Sequence, residues 1–193
     1  MLKTQLFYRF SIIFALFAGS ASAQNEISPA RKQAIDSLAL EKVRDLSKYI
    51  SAIGDKATPA AEADRIINRA LELFEPGAQM GVSSLERPTV KNYPVKDYLR
   101  RLRQLRYKKV KIEWYNIQYV SDLVRQPNGI YVGVVTIYQR FEGTMDDGMK
   151  YVDTTKKDIT IYVRRKEQQI SGRIIGFWDV LLGDIRVNET KRG

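Results

Sequence analysis

The chain has 193 residues, with 32 Lys and Arg against 22 Asp and Glu, a formal net charge of +10, and neither Cys nor His. The lack of Cys excludes disulfides and thiolate metal sites. The lack of His removes the usual general base at neutral pH, the usual triad partner and the commonest zinc ligand.

Residues 1–23, MLKTQLFYRFSIIFALFAGSASA, place Lys3 and Arg9 ahead of the short apolar run FSIIFALFAG and end on the small residues of ASA. This is the layout of a secretory signal peptide, and the apolar run is too short to span a membrane. The mature chain is expected to begin at Gln24 and to be exported, periplasmic or secreted, and soluble. With no Cys beside the cleavage site a lipid anchor has no attachment point. Loss of Lys3 and Arg9 leaves a charge of +8, which suits an anionic envelope surface. Residues 24–187 are expected to form a single domain, and residues 188–193, NETKRG, a loose tail.

SPARKQAIDSLALEKVRDLSKYISAIGD sets Ile35, Leu38, Val43, Leu46 and Ile50 at helical spacing, with Gly54 as the C-cap. TPAAEADRIINRALELFEPG predicts a second helix capped by Thr58 with Pro59 in its first position. Its apolar face is Ile66, Ile67, Ala70, Leu71 and Phe74, and Pro76-Gly77 stops it. AQMGVSSLERPTVKNYP is less regular, with a short strand at 80–84 and an extended piece at 89–93. PVKDYLRRLRQLRY predicts a third helix, with Tyr98, Leu99, Leu102 and Leu105 on one side and Arg100, Arg101, Arg103 and Arg106 on the others.

From Lys108 the apolar period drops from 3.6 to 2. Val110, Ile112 and Trp114 alternate, and Tyr115, Ile117 and Tyr119 follow out of phase, as a β-bulge would read. Asn128-Gly129 signals a hairpin turn. IYVGVVTIYQRFEG, the turn TMDDG, KYVDTTKKDITIYVRRK, a turn at EQQ and ISGRIIGFWDVLL complete a meander. Helices followed by long antiparallel strands are an α+β pattern.

The pieces ELFEPGAQMGVSS, YPVKDYLRRL and YQRFEG…YVDTTKKDITIYV occur in that order. On them the chain resembles, over most of residues 31–182, the nuclear-transport-factor-2-like superfamily, which includes ketosteroid isomerase and scytalone dehydratase. The resemblance implies a strongly curved antiparallel sheet wrapped round N-terminal helices, with a pocket at the open end of the cone. The matching pieces are packing patterns and carry no catalytic signature.

If TMDDG pairs Phe141 with Tyr151, then Gln139 faces Asp153, Ile137 faces Thr155 and Gly133 faces Ile159. If EQQ is the next turn, Ile161 lies near Ile174 and Lys157 near Trp178. One face then collects Val135, Ile137, Ile159, Ile161, Ile174 and Trp178, with Gln139 and Asp153 in the same rows. Gln139, Asp153, Trp178 and Ile137 are therefore the candidate ligand-binding residues. The competing reading leaves Gln139 and Asp153 beyond the core, at wet strand ends.

No nucleophile elbow, Walker loop, metal spacing or glycine fingerprint occurs, so no cofactor, metal or catalytic residue is assigned. The expected role is a non-catalytic binding or assembly module of the cell envelope, holding a small apolar ligand in the cone pocket. The alternative is a small pocket enzyme of isomerase, dehydratase or hydrolase type using a buried carboxylate such as Asp153. In that case Tyr115 or Tyr138 would donate to a developing oxyanion. The basic stretch YLRRLRQLRYKKVKIEWY straddles a helix and a strand, so it is expected to be a solvated face, and nucleic acid is not expected as a partner. The candidate partners are an envelope protein, an anionic envelope component, and a second copy through the sheet face.

Overall fold

The computed structural model describes residues 27–192; the expected signal peptide and the start at Gln24 lie outside the described residues. Helix α1, Pro29–Gly54, opens where the Ser28 hydroxyl accepts the Arg31 N–H, and its inward residues Ile35, Ala39, Val43, Leu46, Ile50 and Ile53 are buried. Leu38, expected inside, lies a third exposed. Asp55, one residue after Gly54, is the C-cap.

Helix α2, Ala60–Leu71, is capped by Pro59 without a side-chain bond. The Thr58 hydroxyl, expected to cap it, instead donates to the Ala52 carbonyl of α1. Strands β1, Gln79–Val82, and β2, Lys91–Pro94, are the two extended pieces of the irregular stretch, and they pair with each other. Helix α3, Val95–Arg103, buries Val95, Tyr98, Leu99 and Leu102.

Four long strands follow: β3 Lys109–Arg125, β4 Tyr131–Thr144, β5 Lys150–Ile170 and β6 Arg173–Arg192. The sheet order is β2-β1-β6-β5-β4-β3, antiparallel except for the parallel β1–β6 contact. The bulge falls just after Trp114. Tyr115 pairs with Tyr138 and Gln118 with Thr136, three steps on β3 against two on β4, and Asn116 takes a φ of 49°.

The β4–β5 register is displaced by two residues from the sequence expectation. Phe141 pairs with Asp153, Gln139 with Thr155, Ile137 with Lys157 and Gly133 with Ile161. An even shift keeps every side chain on its face. The β5–β6 error is larger, because the turn lies at Ser171-Gly172, where φ is 50° and 79°, and not at EQQ. Ile161 therefore pairs with Leu182 and Lys157 with Val187, while Trp178 stands opposite Arg165. Ile174, placed in the core by the expected register, is 73% exposed. Residues 188–192, read as a tail, are strand paired to β5.

The core lies between the helices and the inner sheet face. Val43, Leu46 and Ile50 of α1 join Val135, Ile137, Ile159, Ile161, Leu182 and Ile185 in one apolar cluster. Among the described residues no helix is long and apolar enough to cross a membrane.

Candidate functional site

Alternation along a strand sends every second residue inward. On β5 the inward series runs Tyr151, Asp153, Thr155, Lys157, Ile159, Ile161 and Val163, and on β4 it runs Gln139, Ile137 and Val135. The series is therefore apolar at one end and polar at the other. Over the polar end lie α3 and the segment joining β1 to β2, and between them and the sheet is a pocket of about 330 Å³. Gln139, Asp153 and Lys157 line its floor. Tyr98, Leu102, Leu105, Tyr107 and Phe141 line its walls.

Asp153 is 4% exposed and Lys157 is 2% exposed. The Tyr151 hydroxyl donates to Asp153 Oδ2 at 2.7 Å and accepts the Leu85 N–H at 3.0 Å, which ties the β1–β2 segment to the acid. Burial raises the Asp153 pKa above its ordinary 3.8, against the opposing pull of the Tyr151 hydrogen bond and the Lys157 charge. Burial, followed by the hydrogen bond to Asp153, pushes the Tyr151 hydroxyl up to about 12.

Lys157 has no carboxylate within ion-pair distance among the described residues. Its Nζ meets the Met80 sulfur at 4.0 Å and stands 5.7 Å from the centre of the Tyr98 ring. A thioether is a weak acceptor, so the ammonium is poorly satisfied. Burial brings its pKa down to about 8, with the Asp153 charge acting the other way. Gln139 Oε1 accepts the Trp114 indole N–H at 3.1 Å, which fixes the amide and turns its Nε2 donor away from Trp114.

The walls are aromatic. Tyr107 meets Phe141 edge-on at 5.5 Å, and Phe141 lies 6.0 Å from Tyr151. Gly143 makes room for Tyr107, since a Cβ there would come 2.7 Å from its ring. Arg87, Lys91 and Arg101 stand at the pocket mouth, with Arg101 held 4.6 Å over the Tyr93 ring.

Of the four residues expected from sequence, Gln139 and Asp153 line this pocket. Ile137 is wholly buried in the core, and the side chain paired with it, Lys157, takes the pocket position. Trp178 is not part of the pocket. It is partly buried and edge-on to Tyr131 at 5.7 Å, opposite Arg165 at the far end of β5. Tyr115 and Tyr138 stack on each other at 5.7 Å on the outer sheet face, with Tyr115 40% exposed, so neither can donate into the cone. Lys157 and Tyr151 are the pocket-lining polar groups that the sequence reading left out. Period 2 through DTTKKDI sets Lys157 in phase with Asp153, and that was the available signal.

The basic stretch is less free than expected. Arg103 donates to the carbonyls of Asp55 and Thr58 at 3.2 and 3.0 Å, tying α3 to the α1–α2 link. Lys56 in turn donates to the carbonyls of Arg103 and Leu105 at the end of α3.

No family model and no curated protein matches the sequence. Among solved structures, a protein of Kribbella flavida, Kfla4162, is 11% identical with a TM-score of 0.44, over 82% of this chain and 95% of that one. Aln2 from a Streptomyces species is 11% identical with a TM-score of 0.43, over 83% of this chain and 91% of that one. A hexachlorocyclohexane dehydrochlorinase, LinA type 2, is 13% identical with a TM-score of 0.40, over 82% of this chain and 92% of that one. Likeness at this distance says nothing of activity. What stands is the architecture read from the chain itself: helices first, then a large antiparallel-rich sheet with a pocket beneath α3, an arrangement of the α+β class.

Proposed function

We propose that the protein is a small pocket enzyme that binds a small organic molecule in the cone and moves a proton on it through Asp153. One observation carries this reading: a buried carboxyl of raised pKa lies on the floor of a pocket of about 330 Å³ whose walls are apolar and aromatic and whose mouth is basic. A carboxyl whose pKa is raised is the stronger base when ionised and takes up a proton more readily. Tyr151 orients it, and the donors of Lys157 and Gln139 stand on the same floor to hold oxygens of the bound molecule. The reaction type belongs with the isomerases, dehydratases or hydrolases. Export to the cell envelope, read from the leader, is part of the proposal. A non-catalytic module would use the same pocket to hold its ligand without turnover.

The test is deuterium uptake from solvent by a panel of small ketones and keto acids, read by mass spectrometry. Uptake is expected next to the carbonyl, and Asp153→Asn should slow it by about 10²–10⁴-fold. Equal rates in the two proteins, or no uptake with any compound that binds, would return the protein to the binding-module reading. Intact-mass analysis from an envelope fraction should give a chain starting at Gln24, and a retained Met1 would remove export.

A further inference from the structure

The pocket contains more hydrogen-bond donors than the protein satisfies. Lys157 Nζ carries three N–H groups and has a thioether as its partner, although its side chain is 2% exposed. Gln139 has its oxygen engaged by Trp114, which leaves the amide NH₂ for the cavity. The two residues are diagonal neighbours, since Ile137 pairs with Lys157 and Gln139 with Thr155. Diagonal neighbours on one face lie roughly 7–8 Å apart, so a single small group between them can reach both. A buried cation held only by a thioether and an aromatic face, beside an amide NH₂ that no protein acceptor takes up, is costly unless something supplies oxygen and negative charge.

Asp153 acts on Lys157 only as a charge across the cavity and accepts none of its N–H groups. It sits four residues along β5 from Lys157, roughly 13 Å at a strand's rise, with one oxygen held by Tyr151. The mouth points the same way: Arg87, Lys91 and Arg101 stand there against Glu86. A mouth of that sign concentrates anions. The walls of Tyr98, Leu102, Leu105, Tyr107 and Phe141 suit an apolar or aromatic body.

We propose that the substrate is a small organic carboxylate, its acid group seated on Lys157 and Gln139 and its apolar body between α3 and Phe141. This rests on the pocket reading above and adds the chemical class of the substrate. The carboxylate oxygens accept from the ammonium and the amide together, and the rest of the molecule extends along the floor toward Asp153. The acid group serves as the anchor, and the carbon that exchanges its proton lies at the other end.

The Trp114–Gln139 hydrogen bond makes binding visible, because an anion drawing on the Gln139 amide also polarises its contact with the indole. The experiment titrates the protein in a Trp178→Phe background, following Trp114 fluorescence. The probes are benzoate and cyclohexanecarboxylate, with benzamide and cyclohexanecarboxamide as neutral matches. Each acid should bind at least about tenfold more tightly than its amide, the value of one charge-assisted hydrogen bond. Lys157→Met should remove that preference while a thermal melt shows the fold intact. Lys157→Gln serves as a second variant should the Met form fail to fold. Asp153→Asn should keep the preference, so loss of turnover and loss of binding are read separately. Equal binding of acid and amide, a preference that survives both Lys157 variants, or no response to any of the four compounds would overturn the proposal.

Discussion

Strands β4 and β5 carry two different interiors on one continuous face. Val135, Ile137, Ile159, Ile161 and Val163 are packed against α1 and β6, and each is wholly buried. One step further along, Gln139, Asp153, Thr155 and Lys157 are nearly as buried but polar, and all but Thr155 line a pocket beneath α3. Backbone pairing is the same in both halves. The difference teaches that burial and stability separate here: the apolar half gains from leaving water, whereas the polar half holds groups whose desolvation is only partly offset. The second half is where a ligand completes the structure.

The comparison can be broken most easily at its apolar end. Leu46→Ala or Ile161→Ala removes packing from a fully buried site, and either should cost about 2–5 kcal/mol in a urea melt. A cost below about 1 kcal/mol, as at a surface site, would mean the two halves are alike.

Lys157→Met should act in the opposite direction. The folded pKa of about 8 lies below the ordinary 10.5, so the unfolded chain holds its proton more tightly between those values. Wild-type stability should therefore rise as pH increases from about 8 toward 10, by up to about 3 kcal/mol at one pKa unit per 1.36 kcal/mol. In Lys157→Met that rise should be absent, with the variant at least as stable as wild type at neutral pH. Parallel pH profiles for the two proteins would show that the pocket end is not strained by its charge.

Trp178→Ala sharpens the boundary between the halves. The ring is partly buried and edge-on to Tyr131, so a loss of about 1–3 kcal/mol is expected, below that of a fully buried aromatic. Saturable quenching of Trp178 by an apolar ligand in a Trp114→Phe background would instead extend the pocket to that end. Arg101→Gln with Arg103→Gln should cost about 1–2 kcal/mol together, since Arg103 bonds two carbonyls and Arg101 covers Tyr93. No measurable loss would return this helix face to plain solvation.

Much of the fold was legible because period and turn chemistry are local. The helices, the bulge after Trp114 and the faces of β4 and β5 follow from spacing alone, and the faces survived a two-residue register error because strand periodicity is two. The site was half legible. Asp153 and Gln139 were set on the face that lines the pocket, but Trp178 and Ile174 were misplaced because EQQ reads as a turn, whereas Ser171-Gly172, two residues able to hold positive φ, makes it. That error set Lys157 beside Trp178 and hid it from the pocket. The roof was legible only as two extended pieces, at 80–84 and 89–93: its place over the floor depends on pairings distant in sequence.

Those distant pairings also set an order in time. The turns at Gly129, Gly148 and Gly172 close hairpins between neighbours in the chain, whereas the Gln79 N–H reaches Asp184 across 105 residues. Closing so large a loop costs entropy that local hairpins never face, and folds with many such contacts reach the native state slowly. The β3–β6 meander should therefore gain amide protection first, and β1, β2 and the tie from Leu85 to Tyr151 should arrive in a later phase. Pulse-labelled hydrogen exchange would resolve the two phases. In the interval between them Lys157 and Asp153 stand on an open, wet sheet, so their unusual acidities begin only when the last short strand docks.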